Sequence, residues 1–110
     1  MNSYKNLKLI QALNNCVAHC NHCADACLDF DDIKMRVSCI RTDRVCAEVC
    51  SATAKVLATS YKDVKDLVKY CHKICIACAE ECEGHDHKHC QECADARRKC
   101  AEACEEYLKY

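Results

Sequence analysis

The chain has 110 residues, which suits a single domain, and its sixteen basic and seventeen acidic residues leave a formal net charge of −1. The interspersed charges give no electrostatic footprint for nucleic acid, and no stretch approaches the ~18 continuous apolar residues of a membrane span. Leu, Ile, Val and Phe are too few for an ordinary core, whereas fifteen residues are cysteine, a small and strongly buried hydrophobe when reduced. We therefore predict an interior built largely from cysteine.

Helical periodicity predicts four helices, at about 4–29, 32–59, 61–83 and 86–108. The chain has no proline, and its one glycine, Gly84, falls in a predicted turn. The short connections force neighbouring helices to run antiparallel. The predicted fold is all-α: residues 1–110 form one antiparallel up-down-up-down four-helix bundle with a cysteine-lined core, built from hairpins at about 4–59 and 61–108.

The cysteines of the first hairpin lie on helix stripes, because spacings that alternate between four and three residues keep side chains on one face. They are Cys16, Cys20, Cys23 and Cys27 on helix one, and Cys39, Cys46 and Cys50 on helix two. Asp43 occupies the missing step of the second stripe. When two helices run antiparallel, two residues that lie at the same level have residue numbers whose sum is constant. In the first hairpin this sum is 66 for four pairs: Cys27 with Cys39, Cys23 with Asp43, Cys20 with Cys46, and Cys16 with Cys50.

The second hairpin repeats this pattern, with a constant sum of 175. Its cysteines are Cys71, Cys75, Cys78 and Cys82 on helix three, and Cys93, Cys100 and Cys104 on helix four, with the additional Cys90. Arg97 occupies the missing step. Because an unpaired interior charge is strongly destabilising, we expect Asp43 and Arg97 to form a buried ion pair. The alternative is that Arg97 extends outward along its aliphatic stem.

Other residues complete the predicted bundle. A cysteine is repeatedly followed by alanine and an acid, as in Cys23-Ala24-Asp25 and Cys78-Ala79-Glu80, so we expect alanine to permit close helix approach and the acid to face water. Beyond the thiols the stripes continue into an apolar plug. Its predicted members are Leu9, Leu13, Thr53, Leu57, Val64, Val68 and Tyr107.

A stack of thiols is a soft-ligand site that selects among Cu(I), zinc and iron–sulfur clusters. One Cu(I) per thiolate leaves the column neutral, whereas a zinc ion on four thiolates leaves excess negative charge in a dry interior. Iron–sulfur motifs usually lie on turns near a proline, which this chain lacks. Since no substrate pocket or acid/base pair is evident, we predict a storage protein and not an enzyme. A zinc or mixed soft-metal buffer and a thiol redox sensor are the alternatives.

The connection between helices three and four is rich in histidine and lies at the cysteine end of the bundle. His85 and His89 fall nearest in level to Cys90, so both are candidate ligands that capture or pass metal, and a solvated polar turn is the alternative. His87 shares the turn without an assigned role. Surface or packing roles are expected for His19, His22 and His72.

Three segments of the chain resemble the cytosolic copper storage proteins, a family of Cys-rich four-helix bundles that hold many Cu(I) ions. The segments are Cys20-Asn21-His22-Cys23, residues 39–50, and Gly84-His85-Asp86-His87-Lys88-His89-Cys90-Gln91-Glu92-Cys93. The resemblance implies Cu(I) along the bundle axis, entrance at the histidine end, and a homo-oligomer, often a tetramer. The family often has cysteine where this chain has Arg97, and richer stripes where it has Leu9, Leu13 and Val68, so the expected capacity is lower.

These observations together predict storage or buffering of multiple Cu(I) ions in the cytoplasm. The N-terminus has no apolar signal region, which favours a reducing compartment. The expected partners are copper ions and a copper chaperone, with no nucleic acid and no membrane. The predicted metal ligands are Cys16, Cys20, Cys23, Cys27, Cys39, Cys46, Cys50, Cys71, Cys75, Cys78, Cys82, Cys90, Cys93, Cys100, Cys104, His85 and His89.

Overall fold

The computed structural model describes residues 3–109, with side chains from Lys5 onward. The described residues form four α-helices and no strand, which confirms the predicted fold class. The helices are α1 (Ser3–Cys27), α2 (Ile33–Leu57), α3 (Lys65–Glu83) and α4 (Lys88–Lys109).

Within the described residues, the backbone of each helix packs against two neighbouring helices, and diagonally opposite helices meet only through side chains on the bundle axis. The contacting pairs are α1 with α2, α2 with α3, α3 with α4, and α1 with α4. The result is an elongated square bundle with dimensions of 49 × 20 × 19 Å. Because all four helices surround one axis, a stripe on each helix faces the same central column. We call the end formed by residues 28–32 and 84–87 the mouth.

The largest difference from the predicted boundaries is the start of α3, at Lys65 and not at residue 61. The Thr59 hydroxyl donates to the Val56 carbonyl at 2.7 Å and accepts from the Tyr61 amide at 3.2 Å. Such side-chain bonds to the backbone compete with helix formation. They hold the segment between α2 and α3 out of the helix and so lengthen the connection.

The mouth connections are also slightly longer than predicted. α1 ends at Cys27 and not at residue 29, because the Leu28 and Asp29 amides bond to carbonyls three residues back, at 3.1 and 3.2 Å. Bonds of this kind tighten the last turn of a helix. α4 begins at Lys88, two residues later than predicted, and α2 at Ile33, one residue later.

Alanine forms the walls between the helices, as predicted. The alanines that follow the stripe cysteines are buried, and the acids after them are exposed. The buried alanines are Ala24, Ala47, Ala79, Ala94 and Ala101. Small side chains at these positions bring the backbones together, so side chains on the central stripes converge.

An apolar plug closes the end of the bundle opposite the mouth. Its buried members are Leu9, Leu13, Leu57, Val64 and Val68, in agreement with the prediction. Thr53 lies between the plug and the thiols, and its buried hydroxyl donates to the Val49 carbonyl at 2.7 Å. Tyr107 is half-buried at the plug's edge. One end of the core is therefore aliphatic, and the rest is lined by sulfur.

Candidate metal centre

All fifteen cysteines are buried and present as free thiols. Hydrogen-bonded sulfurs lie 3.7–4.0 Å apart, as in the pairs Cys16 and Cys20, Cys39 and Cys82, and Cys50 and Cys75. These separations are far longer than the roughly 2 Å of a disulfide bond. The core therefore contains closely spaced, unoxidised sulfurs.

The ligand atoms near the mouth form three overlapping groups. Within each group, all of these atoms lie within 4.8 Å of one another. Asp43 contributes a carboxylate oxygen to two of these groups. Cys23 and Cys39 belong to two groups each, so the three groups are continuous. We call their members the mouth set: Cys20, Cys23, Cys27, Cys39, Asp43, Cys82, Cys90 and Cys93.

The sulfurs nearer the plug form a separate group of Cys16, Cys46, Cys50 and Cys75. The Sγ atom of Cys71 lies 3.7 Å from that of Cys50. Hydrogen bonds with Cys104 and Cys16 raise the pKa of Cys100. We call these seven residues the deep set: Cys16, Cys46, Cys50, Cys71, Cys75, Cys100 and Cys104.

The predicted levels are present, but the sulfurs do not form separate layers. Cys16 and Cys50, predicted to share a level, belong to one group. Cys16 also contacts Cys46 on the adjacent predicted level, at 3.9 Å between the sulfurs. Cys23 and Cys39 make an equivalent contact at 3.9 Å. Interleaving of this kind allows one thiolate to serve metal ions on both sides of it.

Asp43 and Arg97 form the predicted buried ion pair. Both side chains have 0% exposed surface, and Nη2 of Arg97 donates to Oδ1 of Asp43. The Asp43 carboxylate also accepts from the Cys93 thiol at 3.6 Å and the Cys82 thiol at 3.8 Å. The alternative, an outward-reaching Arg97, is wrong, because the paired carboxylate and the thiols satisfy the guanidinium inside the core.

The ion pair alters the acidity of the groups around it. Burial raises the pKa of Asp43 to about 7, in opposition to the effect of Arg97. Burial alone would lower the pKa of Arg97, but the negative charge of Cys20 and other thiolates raises it. The guanidinium therefore stays charged.

Two thiols beside Arg97 are more acidic than ordinary cysteine. A hydrogen bond with Cys16 and the nearby positive charge of Arg97 lower the pKa of Cys20. A hydrogen bond with Cys23 and the same positive charge lower the pKa of Cys82. Since the thiolate is the form that binds metal, these sulfurs are poised for a soft cation.

Of the two predicted histidine ligands, the structure places only His89 against the column. Nδ1 of His89 lies 3.5 Å from the Cys90 sulfur, and its Nε2 is buried without a hydrogen-bond partner. Burial and the neighbouring His87 lower the pKa of His89, which favours the neutral, metal-binding form. His85 instead bonds to Glu81 at 2.9 Å, so it faces away from the sulfurs.

Two side chains that were not predicted from the sequence, those of Phe30 and Arg36, cover the mouth. The Phe30 ring packs against His87 at a tilt of 43°, with ring centroids 4.2 Å apart, and the Arg36 guanidinium lies 4.5 Å from the Phe30 ring centroid. Arg36 is buried and contacts Nε2 of His87. Arg36 lies three residues before Cys39 and so falls on the α2 stripe. That spacing is the feature of the sequence from which its position in the core could have been predicted.

Asp43 was also missed as a candidate metal ligand, because the sequence suggested only its role in the ion pair. The remaining histidines fit the predicted surface and packing roles. His72 bonds to Glu105 at 2.8 Å, and exposed His22 makes an edge contact with the His89 ring at 6.5 Å between centroids. His19 is half-buried.

Residues 2–109 match the model of one protein family, described as Csp, copper storage protein. The chain belongs to the copper storage protein family. This membership agrees with the resemblance found in the sequence and with the cysteine-lined bundle.

Solved members of the copper storage protein family have the same fold. Ccsp from Streptomyces lividans, in a structure loaded with 10 copper equivalents, is 39% identical, with a TM-score of 0.92 over 96% of this chain and 85% of that one. The Cu(I)-bound copper storage protein BsCsp3 is 38% identical, with a TM-score of 0.90 over 94% of this chain and 98% of that one.

A curated relative from Bacillus subtilis (strain 168), the uncharacterized cysteine-rich protein YhjQ, is 43% identical over 96 residues. These residues are 86% of this chain and 88% of the relative. Within residues 3–109, no helix is both long and apolar enough to cross a membrane.

Proposed function

We propose that this protein stores multiple Cu(I) ions on the cysteine thiolates of its core. The observation that carries the proposal is the column of fifteen buried, free thiols at the centre of a four-helix bundle. Membership of the copper storage protein family and the likeness to copper-loaded Ccsp and BsCsp3 support it.

Charge balance favours Cu(I) as the cargo. Each thiolate in this dry column carries one negative charge, and uncompensated buried charge is costly. One Cu(I) per thiolate cancels that charge, whereas zinc bound by four thiolates does not. Soft thiolate ligands also prefer Cu(I) to hard cations. The positive charge of Arg97 and the negative charge of Asp43 offset each other, so they leave this balance unchanged.

The ligands in this proposal are all fifteen cysteines, with His89 at the mouth. His89 presents one ring nitrogen to Cys90 and a buried, unpartnered nitrogen on its other side. His85 acts as a ligand only if it leaves Glu81, to which it is bonded. The mouth is the entrance for copper, because the opposite end is filled by the plug.

A cytosolic location is part of the proposal, and the likeness to a structure of a cytosolic copper storage protein from Streptomyces lividans supports it. We also propose a homo-oligomer, for which a tetramer is the expected size, and a copper chaperone as the donor. Exposed apolar side chains of α2 such as Met35 and Val45 suit burial between copies. Native mass spectrometry tests the size of the assembly.

Anaerobic titration of the reduced protein with Cu(I), against a chromophoric Cu(I) chelator, tests storage. We expect uptake of about one Cu(I) per thiolate before the chelator takes metal. Cys75→Ser should lower this endpoint by about one ion, whereas the exposed Ala77→Ser on the same helix should leave it unchanged. Binding of only a few ions would contradict storage.

The alternatives are tested in the same preparation. Effective displacement of Cu(I) by zinc at the thiols would overturn the copper assignment in favour of a zinc or mixed-metal buffer. Free thiols are also counted before and after mild oxidation of the apo protein. Extensive reversible disulfide formation would favour a redox sensor.

A further inference from the structure

The Arg97 side chain crosses the core and contacts all of the other helices. Its Nε lies 3.4 Å from the Cys20 sulfur on α1, and its Nη2 donates to Asp43 on α2. Its Nη1 donates to the Cys82 sulfur on α3 at 2.9 Å, and also to the Cys78 carbonyl. A charged group of this reach occupies space that a continuous column of sulfurs would otherwise fill.

Fourteen of the fifteen sulfurs divide into two sets at the level of Arg97, and the fifteenth, that of Cys78, belongs to neither set and donates to the Thr42 carbonyl at 3.3 Å. The three groups of the mouth set share members with one another, whereas the group within the deep set shares no member with them. Asp43 and the sulfurs that accept hydrogen bonds from Arg97, Cys20 and Cys82, all belong to the mouth set. The ion pair therefore lies at the boundary between two clusters of ligands.

Cys20 is the thiol that touches both sets. Its sulfur lies 3.9 Å from that of Cys93 in the mouth set and 4.0 Å from that of Cys16 in the deep set. Among the described residues, no other thiol–thiol hydrogen bond within 4.0 Å joins one set to the other. Among the described thiols, the two sets are therefore joined by the single contact between Cys20 and Cys16.

We propose that the Asp43–Arg97 pair divides the column into two copper compartments, the mouth set and the deep set, and that Cys20 is the ligand through which Cu(I) passes between them. This inference rests on the proposed function, because it takes Cu(I) as the cargo and the mouth as the entrance.

The permanent charge of Arg97 explains why the boundary slows copper. A Cu(I) ion that moves along the axis approaches a buried cation, and like charges repel strongly in a medium of low dielectric constant. The Asp43 carboxylate already accepts hydrogen bonds from Arg97 and from thiol donors, so it is not available to bind a Cu(I) ion that passes the boundary. The Cys20 sulfur offers a route around the guanidinium.

Transfer through Cys20 is an exchange of ligands without a change of oxidation state. Cu(I) forms a bond to the Cys20 sulfur as its bond to Cys93 breaks, and then forms a bond to Cys16 as the bond to Cys20 breaks. The proton displaced from the receiving thiol moves to the sulfur that has lost copper. No electron is transferred, and no net charge crosses the boundary.

Stopped-flow absorbance of anaerobic, reduced protein mixed with a Cu(I)–glutathione donor tests the inference. We expect a fast phase from the mouth set and a slow phase from the deep set, both followed by copper–thiolate absorbance. Cys27→Ser should reduce the amplitude of the fast phase alone, and Cys50→Ser that of the slow phase alone. These variants assign each phase to its compartment.

The decisive variant is Cys20→Ser, with Cys104→Ser in the deep set as its control. We expect Cys20→Ser to keep the fast phase and to slow the second phase by about tenfold or more. Cys104→Ser should reduce the amplitude of the second phase with little change in its rate, because Cys104 lies outside the route through Cys20 and Cys16. Equal effects of the two substitutions would overturn the role of Cys20.

A second variant removes the boundary itself. Asp43→Cys combined with Arg97→Cys fills the missing step of both stripes with sulfur, and we expect the two phases to merge into one. Circular dichroism of the apo protein checks that this variant folds, and Cys20→Ser provides the test if it does not.

The result for the unsubstituted protein separates this inference from the proposed function. Full uptake in a single phase, to which both sets contribute equally, would overturn the two compartments but leave copper storage intact. Failure to take up Cu(I) beyond a few ions would overturn the proposed function itself.

Discussion

Asp43 of α2 and Arg97 of α4 stand at the only step of each cysteine stripe that lacks a sulfur, and their side chains pair with no exposed surface. The pair replaces two thiols of neutral charge with two ions of opposite charge. Burial of the two charges lowers the stability of the fold, and their mutual attraction raises it. Both effects are electrostatic, and together they determine how substitutions at these positions change stability.

Asp43→Ala should destabilise the apo protein by about 3–5 kcal/mol, because it leaves the Arg97 guanidinium buried without its counter-ion. Urea denaturation of the reduced, metal-free protein measures this change. The double variant Asp43→Leu with Arg97→Met should recover much of the loss, because apolar residues of similar volume often replace a buried ion pair at little cost. A loss below about 1 kcal/mol in the single variant would show that Arg97 finds other partners or water.

The plug should contribute stability without affecting metal capacity. Leu13 is fully buried, so Leu13→Ala should lower the free energy of unfolding by about 2–5 kcal/mol. Leu28→Ala is the control, because Leu28 is 60% exposed and its truncation should change stability by less than about 0.5 kcal/mol. Chemical denaturation gives both values, and Cu(I) titration should give an unchanged endpoint. A lower endpoint for Leu13→Ala would mean that the plug also organises the thiols.

The alanine walls should tolerate little added volume. Ala79 has 0% exposed surface at a helix contact, so Ala79→Leu should destabilise the bundle by about 1–3 kcal/mol through overpacking. Ala77, two residues earlier on α3, is exposed, and Ala77→Leu should be close to neutral. Thermal unfolding of both apo variants makes the comparison. Similar melting temperatures would indicate that α3 can move outward without loss.

Copper uptake should release protons and raise the melting temperature. Most core thiols are neutral before metal binds, since burial and neighbouring thiols raise the pKa of residues such as Cys90 and Cys93. We expect release of about one proton per Cu(I), measured with a pH indicator in weak buffer. Scanning calorimetry should show a transition that shifts upward with copper and returns when a strong chelator removes it. Uptake without proton release would mean that the thiolates form before metal arrives.

His89 should speed the admission of copper, since its ring contacts Cys90 and carries a buried nitrogen without a partner. His89→Ala should slow uptake several-fold with a nearly unchanged endpoint. His72→Ala is the control, because His72 pairs with Glu105 on the outside of the bundle and should not affect the rate. Equal rates for both variants and the unsubstituted protein would place the entrance elsewhere.

The spacing of the cysteines was sufficient to predict the bundle, the convergence of the sulfurs and the Asp43–Arg97 pair. These features depend on helix periodicity and on the cost of unpaired buried charge, both of which can be derived from residue positions. The start of α3 was misplaced because the bonds of the Thr59 hydroxyl to nearby backbone depend on local geometry that periodicity does not reveal. The interleaving of sulfurs from adjacent levels depends on side-chain directions, which residue numbers do not contain.

The mouth was harder to predict for a related reason. Histidine content marked the turn as a candidate site, but the orientation of each ring depends on its nearest neighbours. Glu81 lies four residues before His85 and attracts it, whereas Phe30 comes from the other hairpin and packs on His87. A contact between distant parts of the chain leaves no periodic signal in the sequence.

The place where leucine and valine replace cysteine along the shared stripes sets the length of the sulfur column, while the same backbone continues through both regions. Evolution can therefore adjust how much metal one molecule carries by moving that boundary a turn at a time, with no change in chain length or topology. Because the aliphatic end needs no metal to pack, the bundle can fold while it is empty, and a cell can make its reserve before any copper arrives.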